Sequence, residues 1–313
     1  MSGEGARNAV RAFLGESIDD AGLFPPARLS MRDALAAHDL AAAGPFGWLL
    51  KRFVVPASRL GELAGALGTR STPLRTAVVF DGALVENIAA VGREMHARTE
   101  RIAVEALELK LEDLPGDEPA NKAATLVEIE RVGAFGKPPL IYLEIGISDD
   151  AHLELNLQAF AQTLAGGARP FPKVRCGGAD ASAVPSAAQL AQFIARTRDL
   201  DLAFKATAGL HHPIRHQNAQ AGYAMHGFLN VAGAAILART HAFDREKLEA
   251  MLLDDSGPDF RLSERCFEWR GAMATADEIA AARTRAFHSI GSCSLEDPVS
   301  DLVALGILRT TPG

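Results

Sequence analysis

The amino-acid sequence predicts a (β/α)8 barrel, and three observations carry that expectation. Short β-rich runs recur from residue 52 onward, stretches of helical period separate them, and 313 residues leave room for a barrel of about 250. Strands alternating with helices imply βαβ units and hence a parallel sheet. Eight such runs in regular order favour closure. The rival is an open doubly wound sheet, but no G-x-G-x-x-G follows an early strand.

Residues 1–50 read as a helical N-terminal extension packed on the barrel. Ala6–Leu14 and Met31–Ala42 carry apolar residues at helical spacing, on either side of the Gly/Pro-punctuated loop DDAGLFPPARLS. The barrel domain is then 51–313. Its candidate strands are Arg52–Pro56, Thr76–Asp81, Arg101–Leu111, Leu140–Ile145, Lys173–Cys176, Leu202–Thr207, His226–Asn230 and Cys266–Arg270. Phe287–Ser292 competes for the eighth place because a last helical stretch, PVSDLVALGIL, follows it; Cys266–Arg270 is then the seventh strand or an insertion. The helical stretches between strands include SRLGELAGAL, GALVENIAAVGREMHA, NKAATLVEIERV, HLELNLQAFAQTLA and SAAQLAQFIARTRD, and DLPGDEPANK reads as an exposed loop.

A chain that is 48% hydrophobic and 23% charged can bury a large core. Its net charge of −7, without a basic run, argues against a nucleic-acid partner, since phosphate binding needs clustered Lys and Arg. No run of about 20 apolar residues is present to span a membrane, and the first residues lack the apolar core of a secretory signal. Cys176, Cys266 and Cys293 have neither disulfide-framework nor zinc-site spacing, which fits a reducing compartment. The expected setting is cytoplasmic, with a small anionic substrate as partner; a homodimer is left open.

A strand buried on both faces of a parallel sheet should be nearly all apolar. These runs instead end in polar residues: Asp81, Glu105 and Glu108, Glu144, Lys173 and Arg175, Lys205 and Thr207, Asn230, and Glu268 and Arg270. Strand C-terminal ends converge on the mouth of a barrel, where active sites form. Such a set predicts a polar pocket there; the alternative is an internal salt-bridge network. Asp81, Glu108, Lys173, Arg175, Thr207 and Asn230 are the candidate substrate-binding residues, and Glu144 is a candidate acid or base. Gly177–Gly178 after Arg175 reads as a tight turn.

Lys205 lies within the apolar run LAFKATAG, and Lys173 and Arg175 are nearby cations on the preceding strand. Desolvation and like charge would both lower its pKa, and a neutral amine forms Schiff bases with carbonyls. The competing reading is a lysine paired with Glu144 or with a substrate anion. Lys205-Ala206-Thr207-Ala208-Gly209 resembles the K-x-[ST]-x-G strand of class I aldolases of the deoxyribose-phosphate aldolase type, and Ile290-Gly291-Ser292-Cys293-Ser294 is similar to their I-G-[ST]-x-S phosphate-binding turn. The resemblance implies a Schiff-base lysine on the sixth strand, the rank Lys205 holds in the order above, and substrate contacts at Gly291 and Ser292. It also implies a second lysine and a Gly-Gly pair on the seventh strand, where GFLN offers Asn230 instead, and an aspartate on the third strand, for which Glu105 or Glu108 would have to substitute.

His211, His212, His216 and His226 crowd the following segment. Their spacing matches neither H-x-H nor H-E-x-x-H, so general acid or base work by His212 or His216 is favoured over metal binding, and no cofactor is expected. Three functions follow. The first is a lyase or aldolase acting on an oxo-acid or sugar-like substrate through Lys205. The second is a metal-dependent lyase or hydrolase using the histidines with Glu144. The third is a non-catalytic barrel that binds a small anion.

Overall fold

The computed structural model describes residues 8–309, apart from 69, 99–100, 116–121, 123–124, 128, 130–137, 148–149, 166–169, 179 and 219–221. Eight strands close a barrel: β1 (Ile18–Asp20), β2 (Leu50–Pro56), β3 (Leu74–Val79), β4 (Ile102–Lys110), β5 (Leu140–Glu144), β6 (Pro170–Arg175), β7 (Phe204–Thr207) and, after an excursion, the strand Phe287–Ser292. Every neighbouring pair is parallel. The excursion holds a hairpin of β8 (His216–Asn218) and β9 (Tyr223–Met225), and an antiparallel sheet of β10 (Phe260–Leu262), β11 (Cys266–Trp269) and β12 (Ala272–Thr275). Phe287–Ser292 is therefore β13.

Helices cover the barrel: α1 (Ala9–Leu14), α2 (Met31–Ala43), α3 (Leu60–Ala66), α4 (Leu84–Arg98), α5 (Asp150–Ala165), α6 (Ala187–Asp199), α7 (Phe228–Thr240), α8 (Arg245–Leu253), α9 (Ala276–Ala286) and α10 (Glu296–Ala304). Local chemistry starts several of them. Ser186 with Gln189, and Thr275 with Glu278, form reciprocal capping boxes that satisfy the first amides of α6 and α9. Most of DLPGDEPANK and NKAATLVEIERV lies outside the described residues. Among the described residues no helix is long and apolar enough to cross a membrane.

Three expectations are corrected. The first fifty residues are not an appendage, because β1 lies within them and pairs with both β2 and β13. His226–Asn230 is not a strand: Gly227 caps α7, in which Phe228 to Ala238 are all buried. Packed on every side, that helix shows no polar face, so its apolar run mimics a strand. Of Cys266–Arg270, the part Cys266–Trp269 is extended as β11, with Arg270 turning the chain at a φ of 46°, but among the described residues β11 pairs only with β10 and β12; Phe287–Ser292 closes the barrel. Lys205 thus stands on the seventh barrel strand, and Lys173 on the sixth.

Inside the barrel, side chains alternate with period two. Val54, Ala77, Ala106 and Tyr142 form a buried apolar layer. Against it lies a charged layer, which forms the base of the candidate site.

Candidate active site

The charged layer is built by residues of β1, β4, β5, β6 and β7. Lys205 Nζ donates to Asp19 Oδ2 at 2.5 Å and to Glu108 Oε1 at 2.6 Å. Lys173 Nζ, one strand over, reaches Glu108 Oε2 at 3.1 Å and Glu144 Oε2 at 3.0 Å. Glu108 therefore bridges the two lysines. On the far side, Asp19 accepts from Ser289 Oγ at 2.7 Å, and Arg52 stands 3.7 Å away. Asp19, Arg52, Glu108, Lys173 and Lys205 are all buried. Buried charges persist only when paired, and here the pairing is continuous from Asp19 to Glu144.

This arrangement reverses the expectation for Lys205. Burial does act to lower its pKa, but the charges of Asp19 and Glu108 and their hydrogen bonds outweigh it and raise the value. Burial likewise pushes Asp19 upward, yet Lys205 and Arg52 pull it down to about 2. Glu108 is lowered in the same way, with Lys205 and Lys173 overcoming its burial. Lys205 is an enclosed ammonium, 1% exposed, rather than a free amine.

A cleft of about 600 Å³ opens over the C-terminal ends of β4, β5 and β6. Lys110, Lys122, Glu144, Arg175, His152 and Gln189 are among the residues on its wall. Lys110 carries Glu112 at 3.3 Å, while Lys122 donates to the Leu111 and Leu114 carbonyls at 3.1 and 3.3 Å. Arg175 is half-exposed and stands 3.9 Å from Glu144. Three cations thus face two carboxylates, Glu112 and Glu144, a balance that suits an anion. Glu144 belongs both to this wall and to the buried network, so it connects cleft and lysines.

The remaining predicted residues are dispersed. Asp81 follows β3, but it accepts from the Ser58 amide at 3.1 Å and the Ser58 hydroxyl at 2.5 Å, tying two loops together. Asn230 is buried in α7; it accepts from the Arg215 amide at 2.9 Å and donates to the Met251 and Asp254 carbonyls at 2.8 and 2.7 Å. Its role is structural. Glu105 binds Arg52 at 3.1 Å and Arg75 at 2.7 Å, and Arg270 pairs with Asp254 and Asp259 in the outer sheet. Thr207 ends β7 with its buried hydroxyl unpartnered. Gly291 lies against Thr207, where an added Cβ would be 3.5 Å from its methyl group.

The histidines form a separate group near the end of β13. His212 Nδ1 meets Asp301 at 2.5 Å, and its ring stands edge-on to His216 with centroids 4.3 Å apart. His211 Nδ1 is 3.4 Å from the Ser292 hydroxyl and 3.7 Å from the Cys293 thiol. Burial lowers the pKa of both His211 and His216, so each favours the neutral ring. Among the described residues, no three His, Cys, Asp or Glu side chains converge as a metal site.

Sequence reasoning missed Asp19, Arg52, Ser289, Lys110 and Lys122. Asp19 sits in a three-residue strand without an apolar run to mark it. Lys110, at i+2 from Glu108 on β4, was readable from strand alternation. No protein-family model and no curated protein matches this chain.

Proposed function

We propose that the protein is a lyase-type enzyme acting on a small anionic oxo-acid or sugar-like substrate at the cleft, with Lys173 as the reacting amine. The observation that carries this reading is the pair Lys173–Glu144, 3.0 Å apart, in which Glu144 also forms the cleft wall. Each lysine is paired with two carboxylates, but both partners of Lys205, Asp19 and Glu108, are fully enclosed. Lys173 shares one of these and has its second partner at the solvent-facing side. The corrected strand order places Lys173 on the sixth strand and Lys205 on the seventh. The sixth strand is the rank that the aldolase resemblance implies for a Schiff-base lysine, but the motif that carries the resemblance, Lys205 to Gly209, lies on the seventh, so the assignment to Lys173 rests on its contact with Glu144 and not on the motif.

In this reading Glu144 accepts a proton from the Lys173 ammonium, and the amine adds to a substrate carbonyl with loss of water. Lys110, Lys122 and Arg175 hold the substrate's anionic group. Lys205 keeps Asp19 and Glu108 ionised and thereby fixes the position of Lys173. The enclosed layer beneath the cleft supplies a low-dielectric floor, in which such charge interactions are strong.

Borohydride reduction in the presence of small aldehydes or 2-oxo-acids tests the proposal. One covalent adduct mapped to Lys173, and lost in Lys173→Arg, is the expected result. An adduct on Lys205 would overturn the residue assignment. Tight anion binding without an adduct would favour a non-catalytic barrel.

A further inference from the structure

We propose that Lys51, at the opposite, N-terminal end of the barrel, is a carbon dioxide acceptor whose carbamate serves as the counter-ion of Arg283. The motive is a local excess of positive charge. Lys51 Nζ donates to the His288 carbonyl at 3.1 Å, and Arg283 donates to the same oxygen at 2.9 Å. The other partners of Arg283 are also neutral: the Phe287 carbonyl, the Phe13 carbonyl at 3.0 Å and the Gly15 carbonyl at 3.5 Å. Among the described residues, neither cation has a carboxylate within ion-pair distance, whereas Lys173, Lys205 and Arg52 all do. Two partly buried cations on one carbonyl oxygen are costly unless a negative charge joins them.

The surrounding groups define what can happen there. Arg52 follows Lys51 on β2, Asp19 lies on β1, Lys205 on β7, Arg283 on α9 and His288 on β13. Burial and the neighbouring Arg52 push the Lys51 ammonium down to about 7; Asp19 opposes this, and Arg283 and Lys205 reinforce it. His288 is held neutral, with burial and then Lys51 and Arg283 driving its pKa to about 3. Glu16, the nearby carboxylate on the loop before β1, is engaged by Arg75 at 2.7 Å. Lys51, at intermediate exposure, thus shares the His288 carbonyl with a guanidinium that has no ion-pair partner among the described residues, although Tyr142, Asp19 and Glu16 act on it from further away.

The chemistry needs only dissolved carbon dioxide. The Lys51 nitrogen lone pair attacks the carbon, an N–C bond forms, and one C=O electron pair moves to oxygen. The nitrogen then releases a proton to water. The product carries one negative charge next to Arg283, and nothing is oxidised or reduced. Protonation of the amine competes with the reaction, so the carbamate is favoured as pH rises and is lost as pH falls.

The test is to incubate the whole protein with 13C-bicarbonate and trap carbamates with triethyloxonium, followed by peptide mass mapping. The expected result is an ethyl carbamate on Lys51 and a matching 13C carbamate resonance. At fixed carbon dioxide, its occupancy should rise roughly tenfold or more between pH 6 and 8, following the neutral-amine fraction. Lys51→Arg should abolish the resonance. Arg283→Gln should reduce it several-fold. The mapping on the wild type requires no variant to fold. A trapped group found only on the chain's α-amine or on other lysines, or a resonance that survives in Lys51→Arg, would overturn the proposal. So would the absence of any carbamate at pH 8.

Discussion

Asp19 is fully enclosed and receives the Lys205 ammonium at 2.5 Å and the Ser289 hydroxyl at 2.7 Å on one oxygen. Removing its carboxylate leaves Lys205 buried with Glu108 alone and Arg52 without its acidic neighbour inside the barrel. Breaking a buried pair from one side costs roughly 3–5 kcal/mol, so Asp19→Ala should lower stability by about that amount in urea unfolding. The pH dependence has a definite sign. Asp19 has its pKa depressed to about 2, so its contribution is present above the ordinary carboxylate range and is lost as the pH falls toward 2. A drop from about 3.9 to 2 corresponds to roughly 2–3 kcal/mol. Unfolding midpoints between pH 7 and 3 should therefore fall less steeply in Asp19→Asn than in the wild type. Equal slopes would show that Asp19 does not carry the acid-sensitive stability.

At the scale of elements, the turn after β7 decides how closely the site's strands approach. Gly209 has a φ of 74°, and a Cβ there would meet the Met225 methyl at 2.6 Å, the Cys176 carbonyl at 3.0 Å and Gly177 Cα at 3.1 Å. Gly222 has a φ of 77° with nothing within 4 Å. Both positions lie in the left-handed region, so alanine carries a similar backbone penalty at each. Only Gly209→Ala adds overpacking, worth roughly 1–3 kcal/mol. Thermal unfolding should rank Gly209→Ala well below Gly222→Ala; equal midpoints would show that the turn absorbs the methyl. The same segment shows where pattern reading ends. LAFKAT and LIYLEI were legible as strands because each is a β-rich run of useful length. Ile18–Asp20 was not, because three residues carry no periodicity. HGFLN misled because α7 is buried on every side between the barrel and the outer sheet, with Gly233 so close to Phe267 that a Cβ would be 2.5 Å from its ring. The polar strand ends were legible as a set, but their partners were not. Whether Lys205 faces an open pocket or two carboxylates depends on Asp19, which is 186 residues away.

For the whole molecule, the consequence of β1 is that the chain closes only when its first and last barrel strands meet. Asp19 pairs in register with Gly291 and Asp20 with Ser292, while Ile18 faces Leu50 on the other side. The segment before it also holds the outer sheet, since Phe13 packs on Phe267 with ring centroids 4.9 Å apart. A fragment comprising residues 51–313 would thus lose a strand with two pairings. The edges of β2 and β13 would be left unpaired, and Lys205 would have only Glu108. Unpaired edges invite association between chains, and an uncompensated buried charge destabilises further. That fragment should show no cooperative thermal transition by circular dichroism and should aggregate, whereas the full chain unfolds cooperatively. Native-state hydrogen exchange offers a second check: if residues 1–50 only decorated the barrel, amides of β2 and β13 would exchange equally slowly with or without them. Because β1 supplies both the missing strand and the counter-ion of Lys205, amides of β2, β7 and β13 that exchange slowly in the full chain should instead exchange without measurable protection in the soluble part of the fragment.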